Sequence, residues 1–337
     1  MAAIVATLLT LVVSAHAAAQ DTIEFDAAAA GGTATVSLTV HENPVQTPWG
    51  RTVLAVHGFT ETAAMWKPLA DALFDHVATR YRINRVIALD LPGHGNSPIP
   101  PLGTLGEGRD FGTMTIYDNV AVVIQAIGFL DTQGIGPRTV VGHSMGGLAV
   151  QSAQETLLSS GSSLADLGVT RAVLLAPVPV AEITEWTAGG GELPAEYYRF
   201  DNGTYIVLDA LGAQFGGGFT TLAGEVIPEA FALDYSTLIG AEPITTAGQL
   251  VGAIPELPRP SAQQGAFALR NGTYLTVIGF SEDVLTPAAL QPALYEHLLG
   301  RHGFGYQEVV APDAVHAMVI TNPAGMLDQL FAPGWLF

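Results

Sequence analysis

Cysteine is absent from this chain of 337 residues. The absence excludes disulfide bonds, a thiol nucleophile and any zinc site built on cysteine ligands. The free energy of folding must therefore come from the burial of apolar side chains, and the composition allows this because 49% of the residues are hydrophobic. Such a composition is typical of a globular protein with a large core and not of a disordered chain.

Positive charge is scarce as well. The chain has 12 Lys and Arg residues against 31 Asp and Glu residues, which gives a net charge of -19 at pH 7. This charge repels polyphosphates and anionic lipid headgroups, so we expect no nucleic-acid partner. Beyond the first segment, no apolar run reaches the roughly 18 residues that a membrane span requires. The charge favours a neutral or weakly polar small molecule as the substrate.

The amino-terminal segment has the pattern of a secretory signal. Residues 2–13 are almost wholly apolar, and the small residues Ser14, Ala15 and Ala17 follow them. This pattern is typical of a cleaved signal peptide, although no Lys or Arg stands near the start of the chain. We predict a signal peptide at residues 1–19 and a secreted or periplasmic mature protein. An unprocessed apolar tail or a core helix is the alternative.

Short apolar runs recur along the chain with helix-length segments between them. They lie at residues 52–56, 86–89, 139–141, 171–175, 274–278 and 308–310. This alternation predicts an α/β fold with a mostly parallel central sheet flanked by helices. Two further strands, joined by a turn of small residues, are expected at residues 22–25 and 33–40.

One segment interrupts the alternation. Residues 179–265 contain two triple-glycine sequences and several prolines, yet they have too many aromatic side chains for a solvated linker. We predict that this segment is an inserted cap or lid that folds over the sheet. The core of the protein is then formed by residues 20–178 and 266–337.

A candidate nucleophile lies where one apolar run meets a helical segment. Ser144 stands between Gly142 and Gly146, after the run at 139–141 and before a helix-favouring stretch. A serine in such a strand–turn–helix is lifted out of the fold on a strained backbone, and the flanking glycines let strand and helix approach closely. Ser144 is therefore a candidate catalytic nucleophile, with an ordinary turn serine as the alternative.

A serine hydroxyl needs a base to remove its proton and an acid to orient that base. Asp283 follows the apolar run at 274–278, and His316 follows the run at 308–310. The carboxyl ends of parallel strands meet at one edge of a sheet, so these residues are expected beside Ser144. Glu282 is an alternative acid. Asp283 could instead cap a helix, and His316 could be a solvated loop residue.

The loop after the first run of the sheet supplies the remaining candidates. A tetrahedral intermediate requires two N–H groups aimed at its negative oxygen, and we assign the backbone amides of Phe59 and Met145 to this role. Four nearby residues are predicted to line a substrate pocket, with structural packing as the alternative: His57, Gly58, Trp66 and His143. No His and carboxylate pattern has ligand spacing, so neither a metal nor another cofactor is expected.

Several stretches together resemble the α/β-hydrolase superfamily, in its capped esterase, lipase and haloperoxidase-like branch. The resemblance is carried by residues 56–59 with Trp66, residues 90–97, residues 141–147, Asp283 with Pro287, and His316. The chain order of Ser144, Asp283 and His316 matches the triad order of this superfamily. The acid usually lies three residues after the glycine that ends its strand, whereas Asp283 lies four after Gly279.

The resemblance implies a serine hydrolase that cleaves carboxylic esters through an acyl-enzyme. The aromatic and glycine content of residues 179–265 favours an apolar acyl or alcohol group in the substrate. Serine in the elbow excludes the dehalogenases and epoxide hydrolases of the superfamily, which have aspartate there. Two alternatives remain open. The same triad can hydrolyse lactones, amides or carbon–carbon bonds, or catalyse perhydrolysis, and the fold can also serve as a ligand-binding module without catalysis.

Overall fold

The structure is a computed structural model that describes residues 21–179, 198–201, 205–208, 218–251, 262–300 and 306–331. The predicted signal peptide at residues 1–19 lies outside the described residues, as does part of the predicted cap at 179–265. The strands are β1 (Asp21–Ala29), β2 (Gly32–Glu42), β3 (Arg51–Val56), β4 (Ile83–Asp90), β5 (Thr139–His143), β6 (Arg171–Leu175), β7 (Tyr198–Asp201), β8 (Tyr205–Leu208), β9 (Glu242–Pro243), β10 (Tyr274–Phe280) and β11 (Tyr306–Val309).

A central sheet of eight strands organises the protein, in the order β1-β2-β4-β3-β5-β6-β10-β11. The pairs β1–β2 and β2–β4 are antiparallel, and every pair from β4 to β11 is parallel. The predicted α/β fold with a mostly parallel sheet is thus confirmed. The first hairpin turns at Ala30 and Gly31, which have φ angles of 49° and 78°.

Helices cover both faces of the sheet. They are α1 (Lys67–Asp75), α2 (Ile116–Thr132), α3 (Met145–Ser159), α4 (Tyr235–Leu238), α5 (Ile244–Val251), α6 (Gln291–Leu299), α7 (Met318–Thr321) and α8 (Pro323–Phe331). The alternation of side chains along a strand explains the two layers. On β3, Leu54 packs in the cluster with α2, α3 and α6, whereas Val53 packs on the other face with α1, α7 and α8.

Local signals set where the helices begin and end. Thr115 and Asp118 form a capping box that starts α2. Pro68 occupies the first turn of α1, where a missing N–H has no cost. Gly300 ends α6 in the left-handed conformation with a φ angle of 67°.

The segment predicted as a cap contains a second, smaller sheet in its described part. Strands β7, β8 and β9 pair antiparallel in the order β7-β8-β9, separate from the central sheet. Helices α4 and α5 flank β9 in the chain. These elements fit an insertion with its own local hydrogen bonding, and the cap itself stays a prediction.

The first turn of α3 lies directly against the end of β3. A side chain at Gly146 would overlap the carbonyl oxygens of Val56 and His57. The backbone of both elements would have to move, because these contacts are with main-chain atoms and not with the tip of a flexible side chain. The glycine thus allows α3 to start beside the loop that follows β3.

We expect Gly146→Ala to lower the free energy of unfolding by about 1–3 kcal/mol, since the added methyl group overpacks a rigid contact. Gly128→Ala is the matched control, because Gly128 lies inside α2 and a side chain there would meet nothing within 4 Å. Alanine at 128 should stabilise the protein by about 0.5–1 kcal/mol through its better helix propensity. Thermal unfolding followed by circular dichroism measures both. Equal midpoints for the two variants would contradict the packing argument.

Candidate active site

Ser144 stands at the sharp turn between β5 and α3. Its φ and ψ angles are 50° and -118°, a conformation that residues other than glycine rarely adopt. Hydrogen bonds hold the strained residue in place: its N–H donates to the Leu175 carbonyl, and its own carbonyl accepts from Gly147 and Val178, each at 3.0 Å. The backbone geometry predicted for the elbow is therefore present, and such strain is typical of functional sites.

Asp283 and His316 meet at the carboxyl edge of the sheet, after β10 and β11. His316 Nδ1 lies 2.8 Å from Asp283 Oδ2. The other carboxylate oxygen of Asp283 accepts the N–H groups of Leu285 and Thr286, both at 2.8 Å. Burial by itself raises the pKa of Asp283, but the charge and hydrogen bond of His316, with the bonds from Thr286, bring the pKa below its ordinary value.

An ionised Asp283 determines which nitrogen of His316 carries the proton. Nδ1 must donate to the carboxylate, so Nε2 is the nitrogen that remains to accept a proton. Glu282, the alternative acid, makes a different contact: its carboxylate accepts the N–H of Leu222 at 3.2 Å. The geometry therefore brings Asp283, and not Glu282, to the imidazole.

His143 connects the elbow to the loop of His316. It is the last residue of β5 and directly precedes Ser144. Its Nε2 lies 2.9 Å from the carbonyl oxygen of His316, and the two imidazole rings are 4.6 Å apart. Ser144, His316 and Asp283 are thus brought to the same edge of the sheet.

Phe59 lies in the loop after β3, which runs beside Ser144. A side chain on Gly58 would begin 2.9 Å from Ser144 Cβ, so the backbone approaches the serine as closely as glycine allows. Met145 is the first residue of α3, and the N–H groups of a first helical turn have no partner within the helix. Both amides assigned to an oxyanion hole are therefore next to Ser144, and that role stays a prediction.

The sequence reading missed Glu61, which contacts the same loop. Its Oε2 accepts the N–H of Gly58 at 2.6 Å and lies 3.0 Å from His143 Nδ1. Both nitrogens of His143 face acceptors, which requires a doubly protonated imidazolium beside an ionised Glu61. An acidic residue three positions after Gly58 was the available signal, but the sequence did not show that the chain would fold it back onto His143.

The pKa values agree with this ion pair. Burial by itself lowers the pKa of His143, but the charge and hydrogen bond of Glu61 outweigh burial and raise the pKa above its ordinary value. Burial by itself raises the pKa of Glu61, but the charge and hydrogen bond of His143 bring it below its ordinary value. Both shifts favour the charged forms of the two side chains.

The other predicted pocket residues are enclosed. His57, Trp66 and His143 have no exposed surface, and Trp66 belongs to the apolar cluster around α1. The ring of His57 accepts the N–H of Leu91 through Nε2 and donates to the carbonyl of Gly58 through Nδ1, so it is neutral. Burial, together with the charge of His94, lowers the pKa of His57 to about 3. These side chains pack in the interior beside the site, and the lining of a substrate pocket stays a prediction.

Two features are absent from the part of the chain that the structure describes. The described residues contain no group of three or more His, Cys, Asp or Glu side chains arranged to hold a metal ion. They also contain no helix whose length and hydropathy would suffice to cross a bilayer.

Comparison with known proteins now decides the family. The model of the alpha/beta hydrolase family matches residues 53–329, which is most of the chain. The chain belongs to this family. Membership supports a hydrolase activity. A hydrolase from Pseudomonas aeruginosa PA01 has a TM-score of 0.55 at 18% identity, with coverage of 95% of this chain and 100% of that one.

Two other similar proteins have more specific names. A thermophilic esterase from Thermogutta terrifontis superimposes with a TM-score of 0.52 at 18% identity, covering 92% of this hydrolase and 98% of that chain. At such identities the likeness shows the fold. A dihydrolipoyllysine-residue acetyltransferase component of the acetoin cleaving system of Cupriavidus necator is 37% identical over 115 residues. That match spans 32% of this chain and 24% of the acetyltransferase component.

The Glu61–His143 ion pair predicts how the stability of this α/β-hydrolase depends on pH. The folded-state pKa of His143 is raised above 6.5 and that of Glu61 is lowered below 4.5, so the pair stabilises the fold fully between pH 4.5 and pH 6.5. This contribution is lost as the pH rises through the folded pKa of His143, or falls through that of Glu61. We expect Glu61→Gln to cost about 2 kcal/mol at pH 6 and clearly less at pH 9.

The thermal midpoints of the wild type and of Glu61→Gln, recorded at pH 6 and at pH 9, provide the measurement. Asp71→Asn is the control, since the Lys67–Asp71 pair is exposed and should contribute less than about 1 kcal/mol. A cost of Glu61→Gln that is the same at pH 6 and pH 9 would show that the pair is not an ion pair.

Proposed function

We propose that this hydrolase cleaves carboxylic esters of apolar small molecules, with Ser144 as nucleophile, His316 as general base and Asp283 as the acid that orients it. The observation that supports this most strongly is the 2.8 Å contact between Asp283 Oδ2 and His316 Nδ1, at the sheet edge where Ser144 stands on a strained backbone. Ester cleavage also agrees with the net charge of -19, which disfavours polyanionic substrates.

Each step follows from the position of one group. His316 Nε2 removes the proton of the Ser144 hydroxyl as its oxygen attacks the ester carbonyl, and Asp283 stabilises the resulting imidazolium. The amides of Phe59 and Met145 donate to the oxyanion. The tetrahedral intermediate collapses, and the alcohol leaves with the proton from His316. Water, activated by the same histidine, then releases the carboxylic acid and restores the hydroxyl of Ser144.

The amino-terminal pattern supports a further part of the proposal, that the enzyme acts outside the cytoplasm, in the medium or the periplasm. The segment at 179–265 is proposed as the cap that selects the substrate. Comparison of kcat/KM distinguishes ester cleavage from the alternative reactions. The substrates compared are an ester and one representative each for lactone hydrolysis, amide hydrolysis, carbon–carbon bond cleavage and perhydrolysis. A chain-length series of p-nitrophenyl esters then defines the acyl group.

We expect Ser144→Ala to lower kcat for a p-nitrophenyl ester by about 10⁴–10⁶-fold and to abolish covalent labelling by a fluorophosphonate. Ser152→Ala is the matched control, because Ser152 is buried on the same helix and its hydroxyl has no hydrogen-bond partner among the described residues. The Ser152→Ala variant should keep both the esterase activity and the labelling by the fluorophosphonate. If the wild type binds an ester but is neither active nor labelled, the protein is a ligand-binding module of this fold.

Substitutions of the adjacent residues Asp283 and Glu282 test which of the two carboxylates orients His316. Asp283→Asn should lower kcat by about 10³–10⁴-fold, because the amide favours the wrong tautomer of His316. Glu282→Gln should change kcat by less than about 5-fold, since Glu282 contacts Leu222 and not the imidazole. Steady-state kinetics of both variants on the same ester provides the measurement. A larger loss for Glu282→Gln than for Asp283→Asn would reassign the acid.

A further inference from the structure

A short part of the insertion holds the loop that follows β3. The N–H of Gly240 donates to the carbonyl of Thr60 at 2.7 Å, and the N–H of Thr60 donates to Glu242 Oε2 at 3.2 Å. Two residues further on, the hydroxyl of Thr62 donates to the carbonyl of Thr237 at 2.6 Å. Residues 237–242 thus form hydrogen bonds with both the carbonyl and the N–H of Thr60.

The backbone of Thr60 is strained and requires these hydrogen bonds. Its φ angle is 56°, in the left-handed region that a β-branched residue avoids unless its surroundings impose it. It directly follows Phe59, the amide proposed as an oxyanion donor. Glu61 holds the N–H of Gly58 on one side of Phe59, and Glu242 holds the N–H of Thr60 on the other. The N–H of Phe59 between them has no acceptor within the described part of the chain.

Glu242 is itself fixed by a buried ion pair. Its Oε2 lies 3.2 Å from His94 Nε2, and the two residues are 0% and 1% exposed. The other ring nitrogen of His94 faces the carbonyl of Pro92 at 3.0 Å, so both nitrogens donate and the ring is an imidazolium. Burial alone lowers the pKa of His94, but Glu242 raises it above the ordinary value. The pair therefore connects Glu242, in the insertion, to His94, in the loop that follows β4.

We propose that Glu242, held by His94, is a positioning residue that keeps Thr60 left-handed and thereby aims the amide of Phe59 at the oxyanion. The insertion is then coupled to transition-state stabilisation and does more than cover the site. This inference rests on the proposed ester hydrolysis. Glu242 Oε1 has no partner among the described residues, so every polar contact of this carboxylate is made through Oε2, which faces the loop.

The test compares Glu242→Ala and Glu242→Gln with the control Glu229→Ala, an exposed acid of the same insertion. We expect Glu242→Ala to lower kcat by about 10–100-fold with KM within about 3-fold, since a displaced oxyanion donor acts on the transition state alone. Affinity for an aryl trifluoromethyl ketone, whose adduct places an oxyanion in the hole, should fall by the same factor. Glu242→Gln, which preserves shape, should show a smaller fall of the same kind.

A second substitution tests the strain directly. In the Glu242→Ala background, Thr60→Gly should recover part of the lost kcat, because glycine adopts a φ angle of 56° without penalty. A role of Glu242 in stability alone predicts a lower thermal midpoint with no recovery of kcat by glycine.

The outcomes separate the two proposals. An active, labelled wild type together with an unchanged kcat and ketone affinity in the Glu242 variants overturns this inference and leaves ester hydrolysis standing. A wild type that shows neither turnover nor labelling overturns ester hydrolysis, and the inference with it. Should Glu242→Ala fail to fold, Glu242→Gln decides: a lower kcat at constant KM supports the positioning role, and a wild-type kcat overturns it.

Discussion

The close approach of α3 to the end of β3 is the constraint on which the site depends. Gly146 lets the first turn of the helix lie against the carbonyls of Val56 and His57, with no room for a side chain. This contact brings the amide of Met145 and the loop of Phe59 to the same side of Ser144. Without it, an elbow serine would still be strained, but the loop after β3 would not lie beside it.

Around that contact the protein distributes charge through pairs of histidine and carboxylate. Asp283 holds His316, Glu61 holds His143, and Glu242 holds His94. The histidines differ in state because their partners differ: two rings face acceptors at both nitrogens, whereas His57 accepts an N–H and stays neutral. The chain has few Lys and Arg residues, so buried positive charge near the site comes from protonated histidines. These histidines fix the carboxylates that hold the nearby loops.

Glu61 and Glu242 also hold the backbone of the loop after β3 in place. Each carboxylate accepts one backbone N–H, of Gly58 and of Thr60, and each is fixed by a histidine from another loop or strand. The two hydrogen bonds lie on either side of Phe59. A backbone N–H that is left free between two that are held is well suited to receive a charge that develops on a ligand, because it requires no reorganisation at that moment.

Sequence patterns predicted the parallel sheet, the turn at Ser144 and the convergence of the loops after β10 and β11, since strand periodicity, glycine spacing and chain order are local properties. They left Asp283 and Glu282 open, because adjacent residues on a loop differ only in the direction that tertiary packing gives them. They did not identify Glu61 or Glu242, whose partners lie 82 and 148 residues away in the chain. The sequence by itself therefore determined the fold class and the candidate triad, while the tertiary structure decided which carboxylate meets each imidazole, because hydrogen bonds between distant segments exist only after the core has packed.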